Sequence, residues 1–168
     1  MTAGTRAAGK STFCQKALDL DPSLIEISRD KILIELFGDT SLDPYTGGHD
    51  YANDKMWEAV EKALIPEDIR LILDVWNGDT VARRRILRNL HAFGADQVIA
   101  WYFVTPLEFV AEWFWQKPGI THDCYGENAP RHDHKLFHKL AVNIDSDGFD
   151  GVVRINPVTM NPEEVLRW

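Results

Sequence analysis

Apolar residues in this chain fall into short unbroken runs that alternate with longer stretches in which they recur every third or fourth position. The runs at 24–28, 70–75, 97–103 and 151–155 have the form of buried parallel strands. Between them, helical spacing covers 9–20, with Phe13, Ala17 and Leu18 or Leu20 turned inward, and 29–38, closed by Gly38. It returns over 51–64, with Met56, Val60 and Ala63 or Leu64 on one side, and from Thr80 to about Gly94, behind an Asn77-Gly78-Asp79 turn. Thr105-Pro106 opens a helix of the cap-then-proline kind that carries Leu107, Phe109, Val110, Trp113 and Phe114 and is ended by Pro118-Gly119. A helix over 131–140 and a small terminal helix around 163–166 complete the set.

Residues 39–50, with Pro44 and the pair Gly47-Gly48, read as a loop, and 120–130 read as a mobile one. Strands alternating with helices of this length imply right-handed βαβ units and a parallel sheet. No repeat, linker or low-complexity tract interrupts residues 1–168, so one domain is expected.

Composition narrows the class. Hydrophobic residues are 45% and charged residues 26% of the chain, an ordinary globular balance without an apolar run long enough for a membrane span. With only Cys14 and Cys124 there is no disulfide framework, which makes the cytoplasm the expected compartment. The net charge of −8 and a pI near 5.2 argue against a long nucleic acid as partner, since gripping one calls for a basic surface. Arg83, Arg84, Arg85 and Arg88 form the one basic cluster, spread over more than one helix face, and read as a solvated face.

The most specific chemistry lies at the start. Gly4-Thr5-Arg6-Ala7-Ala8-Gly9-Lys10-Ser11-Thr12 fits the phosphate-binding loop (Walker A), with two glycines bracketing four residues before Lys-Ser. Such a loop points successive backbone N–H groups at a triphosphate. Lys10 reaches the β and γ phosphates, Ser11 offers a hydroxyl to Mg²⁺, and the following helix adds its positive end. ATP and Mg²⁺ are the implied cofactors. Only Met1-Thr2-Ala3 precede the loop where a full buried strand is expected, so the central first strand is largely missing from the sequence. Met1 is expected to be internal to that strand, with the protein starting upstream. Two acids stand at strand tips, where open α/β sheets bind ligands. Asp30 follows the run at 24–28, in a place that also suits a helix N-cap, and Asp74 ends the run at 70–75.

The loop, Ile27-Ser28-Arg29-Asp30, and Leu73-Asp74-Val75-Trp76-Asn77 followed by the arginines 83 to 85 resemble the polynucleotide-kinase-like branch of P-loop kinases. Zeta toxins and chloramphenicol phosphotransferase are more distant relatives of that branch. The resemblance implies a P-loop three-layer α/β sandwich, ATP and Mg²⁺ binding, Asp30 as general base toward an acceptor hydroxyl, and Asp74 as the strand-tip acid serving Mg²⁺ beside Ser11. It implies a kinase, a phosphotransferase with an alcohol group as acceptor. The expected acceptor is a small molecule or a nucleotide-like compound. An ATP-binding module without transfer activity and a 5′-hydroxyl polynucleotide kinase are the alternatives.

Two departures bear on the acceptor. Leu33 stands where polynucleotide kinases carry an arginine that fixes the acceptor phosphate. The lid-like segment at about 113–135 is poor in arginine, reading Glu112-Trp113-Phe114-Trp115-Gln116-Lys117, so Lys117 and Arg131 are the candidates for lid charge. His134 and His138 share a helix face, but His122, Cys124 and His132 have no recognised metal spacing around them, and the group reads as a polar lid or substrate-facing helix. Trp113 and Trp115 point to different faces, so at most one belongs to the core. Base contacts are expected from late loops around Asn156-Pro157.

Overall fold

A computed structural model describes residues 1–38, 40, 47–117, 120–123 and 125–167. In chain order it runs β1 (Thr2–Ala3), α1 (Lys10–Leu20), β2 (Ile25–Ser28), α2 (Arg29–Phe37), α3 (Gly48–Ala63), β3 (Leu71–Asp74) and α4 (Thr80–Ala92). It continues with β4 (Ile99–Phe103), α5 (Leu107–Trp115), α6 (Ala129–Leu140), a 3₁₀ turn (Ile144–Ser146), β5 (Gly151–Ile155) and α7 (Pro162–Val165). Every strand pair is parallel. One ladder has the order β1-β4-β5 and the other joins β2 to β3. The ladders meet where β3 lies beside β1: the Thr2 hydroxyl donates to Asp74 Oδ1 at 2.5 Å, and Asn77 Nδ2 donates to the Thr2 carbonyl.

The strands form where the apolar runs stand because both faces of the sheet are covered. Alternation along β4 sends Trp101 and Phe103 to one face, against Phe13, Cys14 and Ala17 of α1 and Val165 of α7. Ala100 and Tyr102 face the other side, against Phe137 of α6 and Ala141, the residue that caps its C-terminus. Phe13 meets Trp101 and Phe103 edge-on, with ring centroids 6.0 and 5.5 Å away. Each such ring contributes roughly 1.5–3 kcal/mol by burial alone. On the β2–β3 half, Met56 and Val60 of α3 and Ile86, Leu87 and Leu90 of α4 pack on Ile27 and Leu73.

Several local features differ from the pattern-based expectation. Residues 39, 41–46, 118, 119 and 124 lie outside the described residues, and with them the Pro118-Gly119 stop, Cys124 and most of the 39–50 loop. The loop reading fails at its end, because α3 already begins at Gly48, behind Gly47 in the left-handed region at φ 74°. Thr105 is not a helix cap. Pro106 holds the cap position in extended backbone, and the Thr105 hydroxyl donates instead to the carbonyl of Ala8 at 2.7 Å. Arg83 is not on a solvated face: it is fully buried, whereas Arg84, Arg85 and Arg88 are exposed. Among the described residues no helix is long and apolar enough to cross a membrane.

Candidate active site

Strands within each ladder run parallel, and the Thr2–Asp74 contact brings the end of β3 to β1, so the connections after Ala3, Ser28, Asp74, Phe103 and Ile155 gather along one edge. The connection after β1 is the glycine-bracketed loop. A Cβ on Gly4 would stand 2.9 Å from Phe103 Cβ, so only glycine lets the loop leave the sheet this close to β4. Gly9 closes the loop in the left-handed region at φ 81° and caps α1 without any side-chain hydrogen bond. With no acid in the first turn of α1 either, its leading N–H groups have no side-chain acceptor to satisfy them. The buried Thr5 hydroxyl is likewise without a partner. Donors left over at a helix N-terminus, beside a cavity of about 470 Å³, are what a phosphate chain requires.

Lys10 curls over this loop, donating to the carbonyls of Gly4 at 3.0 Å and Thr5 at 2.9 Å. Burial pushes its pKa down. The Asp74 carboxylate opposes that shift, Lys117 reinforces it and Asp30 opposes it. Ser11 is exposed in the first turn of α1. Asp74 ends β3 directly opposite Ser28 in the ladder, so the tips of β2 and β3 are neighbours. The α2 N-cap is Ser28, whose hydroxyl accepts from the Lys31 N–H at 3.4 Å. Asp30 is therefore released from capping; its carboxylate is 61% exposed and takes one bond from Arg29 Nη2 at 3.1 Å.

The two candidates for lid charge separate. Lys117, just past α5, is exposed as a residue; desolvation and then Arg6 lower its pKa, with Asp30 and Asp74 acting the other way. Arg131 is exposed on α6, and its side chain has no hydrogen bond or ion pair among the described residues. Asp30 and Asp74 thus lie within electrostatic reach of both Lys10 and Lys117, and Arg131 is not among the charges that act on these two lysines. Leu33 is fully buried and cannot face a ligand. Trp113 and Pro157 flank the loop: a Cβ on Gly9 would stand 3.0 Å from the Trp113 ring and 3.2 Å from Pro157. Trp113 and Trp115 are both half-buried, Trp115 stacking on His122 with centroids 3.9 Å apart.

The residues present fit ATP and Mg²⁺. The loop supplies amides and an ammonium, and Ser11 and Asp74 supply the hard oxygen donors that Mg²⁺ prefers. Among the described residues no group of three or more His, Cys, Asp or Glu could hold a metal by itself. His134 and His138 instead form a relay, with Nε2 atoms 3.1 Å apart, His138 Nδ1 2.7 Å from the Tyr102 hydroxyl and His134 Nε2 3.1 Å from the Thr105 carbonyl.

Sequence reasoning missed the group that braces the site. Arg83 uses all five N–H bonds, donating to Asp147 Oδ2 at 2.5 Å, the carbonyls of Asn77, Gly78 and Leu140, and the Thr80 hydroxyl. It locks the 75–79 turn that follows Asp74. The signal was present: Arg83 sits three, four and seven residues before Ile86, Leu87 and Leu90, on the same helix face as the core.

No family model matches this sequence, and no curated protein sequence matches it. Solved structures do resemble it over nearly the whole chain. A suspected kinase from Chloroflexus aurantiacus is 16% identical with a TM-score of 0.67, covering 99% of this chain and 90% of that one. A shikimate kinase from Acinetobacter baumannii is 13% identical with a TM-score of 0.57, covering 99% and 87%. A fungal RNA kinase is 18% identical with a TM-score of 0.52, covering 98% and 77%. The chain has the P-loop kinase fold, a mostly parallel sheet flanked by helices. The last two are kinases of different acceptors, shikimate and RNA, so the fold leaves the acceptor open.

Proposed function

We propose that this protein is a kinase that transfers the γ-phosphoryl group of ATP to a hydroxyl of a small-molecule or nucleotide-like acceptor. The observation that carries the reading is the convergence of Lys10, Asp30, Asp74 and Lys117 on one loop-and-strand-tip site. The loop amides and Lys10 hold the phosphates, while Trp113 and Pro157 border the nucleotide. Ser11 and Asp74 would hold Mg²⁺, which would supply positive charge against the phosphates when bound. Asp30 accepts the acceptor's proton as the hydroxyl oxygen attacks phosphorus. The bond to the β–γ bridging oxygen breaks and its electron pair leaves with ADP. Lys117 adds lid charge, the role considered for either Lys117 or Arg131, and the segment at about 113–135 serves as the lid. The acidic net charge and the buried Leu33 favour a small acceptor over a 5′-hydroxyl polynucleotide.

ATP consumption measured against a panel of hydroxyl acceptors tests this. Acceptor-dependent ADP release that falls by about 10²-fold or more in Asp30→Ala supports the assignment. Equal rates for wild type and Asp30→Ala with a true acceptor would remove Asp30 as base. Nucleotide-dependent partner binding with no acceptor phosphorylated would favour a binding module without transfer.

A further inference from the structure

Of loop residues 4–8, Arg6 alone is exposed; Gly4, Thr5, Ala7 and Ala8 are buried. Its backbone belongs to the phosphate loop, but its side chain leaves the loop for α5 and α6. The guanidinium carbon lies 5.4 Å from the Tyr125 ring centroid and 6.0 Å from that of Phe114. Arg6 Nε is 3.9 Å from Asp133 Oδ2, between side chains 46% and 33% exposed. These contacts hold the side chain weakly: both cation–π distances are near the outer limit of such contacts, and the ion pair is long and partly exposed, so solvent screens it. A phosphoryl group seated in the loop would outcompete them, since Arg–phosphate bonds are charge-assisted and bidentate. Arg6 is also close enough to Lys117 for the two charges to act on each other, so both cations border the same space.

We propose that Arg6 is a catalytic cation for the transfer: it leaves Asp133 and the Phe114–Tyr125 rings and donates its N–H bonds to the γ-phosphoryl oxygens as the group moves to the acceptor. This rests on the kinase reading above. The transferring group spreads negative charge over its equatorial oxygens while the bridging bond breaks, and a fork of N–H donors meets that charge better than a single ammonium. The proposal accounts for the arginine-poor segment from Glu112 to Lys117, because the arginine comes from the loop itself.

Equilibrium binding of ADP with Mg²⁺, with and without aluminium fluoride as a mimic of the transferring phosphoryl group, tests it. Wild type should bind ADP more tightly when the fluoride is present. Measured against each variant's own ADP affinity, Arg6→Ala should lose roughly 10- to 100-fold of the fluoride-dependent gain, with Arg6→Lys intermediate. Asp133→Asn, which frees the guanidinium, should keep the whole gain. A full gain in Arg6→Ala would overturn the proposal and leave Arg6 as a tie between the loop and α6, a role read instead as a lowered unfolding midpoint. Wild type that binds ADP but shows no gain overturns both the proposal and the transfer reading. Wild type that binds no ADP overturns the nucleotide site itself.

Discussion

Thr2 and Asp74 are 72 residues apart in the chain, and the Thr2 hydroxyl donates to Asp74 Oδ1 at 2.5 Å. This contact crosses from one strand ladder to the other and fixes one oxygen of the strand-tip acid, leaving the other for a ligand. Thr2→Val keeps the shape and removes the donor. It should cost about 1–3 kcal/mol in urea unfolding, because a carboxylate at a buried seam loses its partner. It should also raise the Mg²⁺ concentration needed for nucleotide binding. An unchanged midpoint with an unchanged Mg²⁺ dependence would remove Thr2 from the site.

Arg83 and Asp147 are both fully buried as side chains and paired at 2.5 Å. Arg83→Met leaves the buried Asp147 carboxylate with only Arg84, whose Nε is 3.7 Å from Oδ1, and frees the 75–79 turn, with an expected loss of about 3 kcal/mol. Arg83→Met combined with Asp147→Leu should recover a large part of that loss in chemical unfolding. A double variant no more stable than the single one would show that the carbonyl bonds of Arg83, not its ion pair, hold the turn.

Ala7 lies in the left-handed region at φ 59°, as does Gly9 at φ 81°. The two should respond oppositely to exchange of glycine and alanine. Ala7→Gly relieves a strained conformation, worth roughly 1 kcal/mol before the entropy of glycine offsets part of it, so stability should hold or rise slightly. Gly9→Ala adds strain and drives a methyl toward Trp113 and Pro157, and should lower both stability and nucleotide affinity. Calorimetry on the pair checks the sign of each effect.

His138 is held below its ordinary pKa of 6.5, first by burial and then by His134. The unfolded chain therefore takes up this proton at a higher pH than the folded one. Its neutral form contributes stability that is complete above about pH 6.5 and is lost as pH falls toward the lower folded pKa. Since Tyr102 and His134 flank it and His134 reaches the Thr105 carbonyl, acid should loosen α6 from the sheet. In pH-dependent thermal unfolding, His138→Gln should flatten the fall below about pH 6.5 relative to wild type. An equally steep fall in the variant would assign the dependence elsewhere.

Much of this site was legible before any coordinates. The glycine spacing around Arg6-Ala7-Ala8 and the acids closing two apolar runs put a phosphate loop, Asp30 and Asp74 at the same edge of a parallel sheet, because side-chain period and strand direction are local properties of the chain. The strand at 151–155 is unchanged in the structure, and the other elements shift by a few residues at their ends.

What the pattern could not assign were choices between neighbours of similar chemistry. Ser28 takes the cap that Asp30 could have filled, Arg83 is buried while Arg84 and Arg85 are not, and Thr105 reaches back to Ala8. Sequence alone determined the elements, their order and the chemistry at their ends, since each follows from a run of adjacent residues. Only the tertiary structure decided which charges share the site, because the fields of Arg6, Lys10, Asp30, Asp74 and Lys117 add only at distances set by sheet order and helix packing, and segments this far apart in the chain carry no local record of those distances.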